Sequence, residues 1–273
     1  MSNLIKRSLT GLLFSVTLLV TFIVSQYSML AMVNTIAILC IIEYYNMAKH
    51  FEIKPQIASG LIIALTLINL SFFIAKRIIP LESLLLILPL LFLVFIIQLY
   101  LKHKKPIESI GFTFLPIIHV AIPLALLMGL GLLNGEYKYE IVVGLFILIW
   151  ASDTFAYLVG VSIGRTPLFA RISPKKSWEG FIGGAIATFV VSQYMASYWT
   201  ILTQFDWGVL AALTVATGVW GDLVESMLKR AAGIKDSGNI LPGHGGVLDR
   251  FDSFLFVIPF AFTYIYFSLV ILN

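Results

Sequence analysis

Long apolar stretches separated by short polar segments follow one another along the whole chain. Each is about 20 residues long, the length that an α-helix needs to cross a hydrocarbon layer of roughly 30 Å. The pattern predicts about nine membrane-spanning helices and leaves no length for a separate extramembrane domain. The predicted spans are residues 9–26, 29–47, 57–75, 79–101, 110–133, 140–161, 179–198, 206–224 and 251–272.

The composition agrees with this pattern. The 273 residues are 59% hydrophobic and 12% charged, with a mean hydropathy of +0.97, a balance that excludes a water-soluble globular protein. The single cysteine, Cys40, excludes a disulfide framework and a thiolate metal site. We therefore predict an all-α fold, a polytopic transmembrane helical bundle.

The positions of Lys and Arg predict the orientation, because cytoplasmic loops are enriched in both. With a cytoplasmic N-terminus and nine spans, only Lys76, Arg77 and Lys138 of the 18 Lys and Arg residues lie outside. The basic inner surface suits anionic lipid headgroups and nucleotides, although the topology rule alone would also produce it. No nucleic-acid partner is expected.

Polar residues are unevenly distributed between the two halves. Residues 1–140 contain few acidic groups within their apolar stretches, apart from Glu43 and Glu82 near helix ends, and are predicted to be scaffold. Residues 141–273 contain most of the candidate chemistry and are predicted to form the catalytic region. Asp153 lies well inside the sixth stretch, so we expect it to face inward along a polar cleft or to form a structural hydrogen bond between helices.

Two neighbouring lysines, Lys175 and Lys176, precede the seventh stretch and are flanked by Ser173 and Ser177. Together with the amide groups at a helix N-terminus, they could bind phosphate. The alternative is an interfacial anchor, with the lysines at the headgroup level and Trp178 in the aromatic belt.

Four polar residues follow a helical spacing at the end of the eighth stretch: Asp222, Glu225, Ser226 and Lys229. This spacing places them on one helical face. A carboxylate there could bind a hard divalent cation while the lysine neutralises phosphate. A simple Glu225–Lys229 helix pair is the alternative, but it does not explain Asp222.

A glycine-rich loop around His244 leads into Asp249, Arg250 and Asp252 at the start of the ninth stretch. Such a loop lets backbone amides approach a polyphosphate, and two carboxylates entering the membrane boundary need metal, cations or water. His244 is either a proton shuttle or a loop residue bonded to backbone.

The run SMLKRAAGIKDSGNILPGHGGVLDRFD at 226–252 resembles the C-terminal signature of the phosphatidate cytidylyltransferase (CDP-diacylglycerol synthase) family. The segments SDTFAY, SPKKSWEG and GDLVES also look like that family's. The resemblance is strong over residues 145–273 and rests on hydropathy alone before them. It implies a Mg²⁺-dependent reaction, with room for a second cation, in which a phosphatidic acid oxygen attacks the α-phosphorus of CTP and pyrophosphate leaves.

The resemblance also implies roles for particular residues. Asp222 and Asp249 would bind metal. The predicted catalytic residues are Lys229, Arg230, Lys235, Asp236, His244 and Asp252. The predicted substrate-binding residues are Ser173, Lys175, Lys176, Ser177, Ser226 and Arg250.

Other functions stay open on the sequence alone. The chain could be a cytidylyltransferase for another lipid phosphate or a CTP-using lipid kinase, because such sites would contain the same parts. A membrane transporter is disfavoured, since its acids should occur through the bilayer depth and in both halves. We expect an integral protein of a bacterial inner membrane with a cytoplasmic active site. The spacing of Gly160 and Gly164 is also compatible with a homodimer.

Overall fold

The computed structural model describes residues 3–240 and 245–268, with the backbone alone for residues 3–9. This part of the chain is mostly helical. Its helices are α1 (Asn3–Val24), α2 (Gln26–Ala48), α3 (Ile57–Ala75), α4 (Ile87–Tyr100), α5 (Pro106–Pro116), α6 (Ile122–Gly131), α7 (Tyr139–Ile163), α8 (Trp178–Ala196), α9 (Gln204–Ala231) and α10 (Leu248–Tyr266). Two short antiparallel strands, β1 (Pro167–Phe169) and β2 (Ser173–Ser177), form a hairpin between α7 and α8.

Within the described residues, each of the nine predicted apolar stretches falls mainly on helical structure. The fourth begins with the 3₁₀ turns of Leu81–Leu86, and the fifth joins α5 to α6 through a π-helical turn at Ile117–Ala121. Among the residues that the structure describes, six helical segments are long and apolar enough to span a bilayer: Gln26–Phe51, Ile57–Ala75, Leu81–Tyr100, Pro106–Gly131, Tyr139–Ile163 and Gln204–Ala231. The polytopic helical architecture is thus confirmed, whereas spanning by α1, α8 and α10 stays a prediction.

The chain forms two compact units. The first unit contains residues Met1–Lys138 together with Ala231–Phe251, so α1 to α6 are joined by the loop that follows α9 and by the start of α10. The second unit contains Tyr139–Arg230 and Asp252–Asn273, that is α7, the hairpin, α8, α9 and most of α10.

Glycines allow α7 and α8 of the second unit to pack closely. A Cβ atom on Gly180 would lie 2.6 Å from the carbonyl oxygen of Ala156, and one on Gly184 would lie 2.9 Å from that of Ser152. Only glycine permits such an approach between helix backbones. Gly164, directly after α7, likewise faces Ser177, whose Oγ would lie 2.5 Å from a Cβ atom on Gly164. Small residues in and directly after α7 therefore serve packing within the chain.

The hairpin is an addition to the all-α prediction. The apolar pattern did not indicate it, because SPKKS is short and polar and has no hydrophobic alternation. Glu179 holds the hairpin to the start of α8 by accepting hydrogen bonds from the amides of Arg165 (3.1 Å) and Thr166 (3.2 Å). The hairpin therefore sets where the lysines of β2 lie relative to α8.

Candidate functional site

Three carboxylates meet in the second unit. Asp222 and Glu225 come from α9 and Asp252 from α10, and one oxygen atom of each lies within 4.8 Å of the others. The two residues of α9 are three positions apart, so they share a helical face. Three acidic groups this close repel one another, and a cation is the natural means of relieving that repulsion.

Small residues of α9 make this meeting possible. A Cβ atom on Gly221 would lie 2.5 Å from the carbonyl oxygen of Asp252 and 2.9 Å from Cβ of Phe256. The two helix backbones therefore touch beside the cluster. This contact explains why a glycine immediately precedes Asp222, and it brings carboxylates 30 positions apart in the chain into one group.

Two lysines are paired with the cluster. The Lys229 ammonium donates to Oε2 of Glu225 at 2.9 Å, and both side chains are buried. Lys176 of β2 forms an ion pair with Asp222. Ser226 Oγ lies 3.4 Å from Oδ1 of Asp222, in position to donate a long hydrogen bond. The group contains two ammonium groups and three carboxylates, so its net formal charge is negative. A negative charge favours binding of a further cation.

The other predicted site residues of the hairpin are exposed or half-buried. Lys175 is exposed and Ser173 half-buried. The Ser177 hydroxyl accepts a hydrogen bond from the amide of Gly180 at 3.1 Å and caps α8. Asp153 of α7 is exposed.

A second polar group, in the first unit, surrounds Asp249 near the start of α10. Its Oδ2 accepts hydrogen bonds from the amides of Ser237 (2.9 Å) and Gly246 (2.8 Å) and from the Ser237 hydroxyl (3.0 Å). Gly245 has φ +86, a conformation that glycine adopts without strain. Gly245 and Gly246 therefore allow the backbone to bring the Gly246 amide onto the Asp249 carboxylate.

Glu43 of α2 belongs to the same group. Its side chain is 2% exposed, and it accepts hydrogen bonds from Val247, Leu248 and Ser237. On the sequence alone, Glu43 belongs to the predicted scaffold. The available signal was an acidic residue inside an apolar stretch, which signifies a specific partner, but the partner is about 200 residues away in the chain.

The predicted site residues divide between the two units. Lys176, Ser226, Lys229, Asp222 and Asp252 come together in the second unit. They are joined by Glu225, to which the family resemblance assigned no role. Asp249 lies in the first unit, where Lys235, Asp236 and Arg250 are exposed. Arg230, at the end of α9, is also exposed. His244 lies outside the described residues.

The donor atoms of the second-unit cluster fit a hard divalent cation. Mg²⁺ and Ca²⁺ prefer carboxylate oxygens, and Mg²⁺ is typically held by one or two carboxylates together with substrate phosphates. Asp222, Glu225 and Asp252 offer such oxygens in one place. Soft metals would need thiolate or imidazole ligands, which this group does not contain.

The chain is similar to known cytidylyltransferases along nearly its whole length. A model of the cytidylyltransferase family matches residues 5–268. The phosphatidate cytidylyltransferase of Bacillus subtilis (strain 168) is 33% identical over 269 residues, which are 96% of this chain and 97% of that protein.

Two further relatives match over a shorter part. The phosphatidate cytidylyltransferase of Haemophilus influenzae is 46% identical over 127 residues, 45% of this chain and 44% of the relative. That of Staphylococcus aureus (strain COL) is 48% identical over 116 residues, 42% of this chain and 44% of the relative.

Proposed function

This chain belongs to the cytidylyltransferase family, and from that premise we propose that it transfers CMP from CTP to phosphatidic acid. A phosphate oxygen of phosphatidic acid attacks the α-phosphorus of CTP. The bond from that phosphorus to the bridging oxygen of the β-phosphate breaks, and pyrophosphate leaves with the electron pair. The lipid product is CDP-diacylglycerol, a precursor for phospholipid biosynthesis.

The observation that carries this proposal is the group of Asp222, Glu225 and Asp252 beside two lysines. Transfer of a nucleotidyl group needs little covalent chemistry from the protein. It needs the reacting groups to be positioned and the negative charge of the phosphates to be neutralised. Carboxylates that hold a cation and ammonium groups that contact phosphate are the parts required.

We propose Mg²⁺ as the cofactor, held by Asp222, Glu225 and Asp252. When bound, it would neutralise the charge of the triphosphate and orient it. The sequence also assigned Asp249 to metal binding, and this assignment stays part of the proposal. A second cation would bind those carboxylate oxygens of the proposed ligands that the first cation does not use.

The lysines would contact the substrates. Lys176 pairs with Asp222 and Lys229 with Glu225, so each ammonium already lies beside a proposed metal ligand. Both would contact phosphate oxygens of CTP or of the lipid headgroup. Lys175, Ser173 and Ser177 would contribute from the hairpin. Arg230, Lys235, Asp236, His244 and Arg250 keep their predicted roles in the reaction.

The membrane setting suits these substrates. Phosphatidic acid has acyl tails that lie in the hydrocarbon layer, whereas CTP is highly charged and enters from water. We propose that the chain resides in the inner membrane of a bacterium and that its active site faces the cytoplasm, where the positive-inside rule puts the basic loops. The N-terminal scaffold (1–140), the catalytic region (141–273) and the homodimer stay predictions.

The test is the reaction itself. Purified protein is incubated with phosphatidic acid, labelled CTP and Mg²⁺, and CDP-diacylglycerol is measured beside the Asp222→Asn variant. Because the amide cannot supply the negative charge that binds the cation, we expect a loss of about 10²-fold or more in kcat/KM, the size of loss seen when one main electrostatic contact is removed.

The matched control is Asp206→Asn, at the other end of the same helix. Oδ2 of Asp206 accepts hydrogen bonds from the amide and the hydroxyl of Thr203, and Oδ1 accepts from the Tyr264 hydroxyl. In asparagine the amide oxygen can still accept from Thr203, and the amide nitrogen can donate to the Tyr264 hydroxyl oxygen. This variant should keep its activity. If wild-type protein transfers CMP to an isoprenoid phosphate but not to phosphatidic acid, the substrate assignment is wrong. If it uses neither, the proposed function fails.

A further inference from the structure

Glu43 is a buried acidic residue on α2. The proposed reaction does not itself require its carboxylate. All its hydrogen bonds described above go to one short segment of the chain. Its Oε1 accepts from the amide of Val247 at 2.9 Å, and its Oε2 accepts from the amide of Leu248 and from the Ser237 hydroxyl, each at 2.8 Å. Glu43 therefore binds both ends of the glycine-rich loop.

These hydrogen bonds satisfy backbone amides at the N-terminus of α10. The first amides of a helix have no partner within the helix, and they favour a negative charge nearby. Val247 and Leu248 are buried, so water does not satisfy their amides. Glu43 supplies both the acceptors and the charge, from a helix that is remote in the sequence.

Glu43 also explains two of the small residues in the loop. A Cβ atom on Gly238 would lie 2.5 Å from Oε1 of Glu43. One on Gly246 would overlap both the Ser237 hydroxyl and Oε2 of Glu43. The loop can close around the carboxylate only because these two positions have no side chain.

The groups that Glu43 holds are the groups that hold Asp249. Ser237 donates its hydroxyl to Glu43 and its amide to Asp249 Oδ2, and Gly246, whose amide also donates to Asp249, precedes Val247 directly. A displacement of the Glu43 carboxylate would therefore move the donors that orient Asp249.

We propose that Glu43 is a positioning residue for Asp249: through Ser237 and Gly246 it sets the orientation of the Asp249 carboxylate and thereby the affinity for a divalent cation at Asp249. It contacts neither substrate nor cation itself. The activity part of this inference rests on the proposed function, whereas the effect on the loop does not. An anchor that served folding alone would affect stability and leave the cation affinity unchanged.

The test is Glu43→Gln in the full chain, purified in detergent. The amide nitrogen of glutamine cannot accept a hydrogen bond, so at least one donor of the loop loses its partner. We expect the Mg²⁺ concentration for half-maximal activity to rise about 10- to 100-fold, as is typical when a group that orients a metal ligand is changed. Excess Mg²⁺ should restore part of the activity.

Two readouts do not depend on the reaction. Amide hydrogen exchange of the peptide containing residues 245–249 should become faster in Glu43→Gln. Binding of Mn²⁺, followed by electron paramagnetic resonance without CTP, should weaken by the same factor as Mg²⁺ activation. If wild-type protein shows no CMP transfer, the proposed function fails while these two measurements still test the inference.

The matched control is Thr113→Val. Thr113 is a buried residue of the same unit whose hydroxyl accepts from the amide of Gln56 and donates to Ser109. This variant should lower the melting temperature without changing Mg²⁺ activation, Mn²⁺ binding or exchange at 245–249.

Equal melting temperatures for Glu43→Gln and Thr113→Val, with unchanged cation affinity in both, would overturn the proposal. If Glu43→Gln does not fold, Ser237→Ala decides the question. It removes only the hydroxyl that bridges Glu43 and Asp249, and it should raise the half-maximal Mg²⁺ concentration several-fold. An unchanged value for Ser237→Ala would then overturn the proposal.

Discussion

Glu225 and Lys229 form the most deeply buried ion pair among the described residues. Glu225 is fully buried, and its Oε2 lies 2.9 Å from the Lys229 ammonium. An exposed pair of this spacing would stabilise a helix by only a few tenths of a kcal/mol. Burial changes the consequence of losing one member, because the other charge would remain in a medium that solvates it poorly.

Replacing either member of this pair should destabilise the protein strongly. We expect Glu225→Leu and Lys229→Leu each to lower the free energy of unfolding by about 3–5 kcal/mol. The double variant should lose much less than the sum, because no unpaired charge is left. Thermal unfolding in detergent of the wild type, the two single variants and the double variant measures these losses of stability. Additive losses would mean that the two charges do not interact energetically.

Single residues are also where sequence reasoning was incomplete. The i, i+3, i+4 and i+7 spacing correctly put Asp222, Glu225, Ser226 and Lys229 on one face of α9. It did not reveal that Glu225 belongs with Asp222 and Asp252 in one carboxylate group. Local spacing predicts neighbours on the same helix, whereas a group shared by two helices depends on how those helices pack.

The contact between α9 and α10 is the feature on which the carboxylate group depends. Two glycines of α9 face α10 at different distances. A Cβ atom on Gly218 would lie 3.7 Å from Cβ of Ser253, an ordinary van der Waals contact, whereas one on Gly221 would lie 2.5 Å from the carbonyl oxygen of Asp252. The two positions therefore form a natural pair for substitution.

We expect Gly221→Ala to force α9 and α10 apart, to cost about 1–3 kcal/mol through overpacking and to reduce CMP transfer at least tenfold. Gly218→Ala should leave stability within about 0.5 kcal/mol and activity unchanged. The free energy of unfolding and the rate of CMP transfer, measured for both variants, test whether the close contact at Gly221 is required. Equal effects of the two substitutions would show that closeness at Gly221 is not required.

The hairpin of β1 and β2 fixes the position of Lys176. Lys176 lies in a strand that ends at the cap of α8, and Glu179 ties that helix start back to the residues before β1. The lysine is thus held by several backbone contacts. Hydropathy located the segment between two helices, but the strands themselves could not be predicted from it.

The predicted membrane topology rests on charge and hydropathy and can be tested directly. The loop containing Lys104 should be cytoplasmic, and the loop containing Glu136 should be outside; both side chains are exposed. The single cysteine, Cys40, is buried and can be replaced by alanine to give a background without thiols.

In that background, Glu136→Cys should react with a membrane-impermeant maleimide in intact cells. Lys104→Cys should react only after the membrane is permeabilised. The accessibility of each thiol is read from the mass shift of the labelled protein. The reverse labelling pattern would invert the predicted orientation and with it the cytoplasmic site.

Hydropathy alone was enough to identify a polytopic helical membrane protein, and a continuous signature at 226–252 was enough to indicate the family. Both are properties of local sequence: about 20 apolar residues must form a helix in lipid, because no other local structure satisfies the backbone there. The residues of α9 that we propose to carry the chemistry could be predicted because their helical spacing is also a property of local sequence.

Contacts between distant parts of the chain were decided only by the tertiary structure. The pairing of Lys176 with Asp222, the grouping of Asp252 with Asp222 and Glu225, and the hydrogen bonds of Glu43 to Val247 and Leu248 each join residues at least 27 positions apart. Which helices meet is set by glycine contacts and by buried polar groups that need partners. Those requirements concern surfaces created by folding, and no local pattern of residues specifies them.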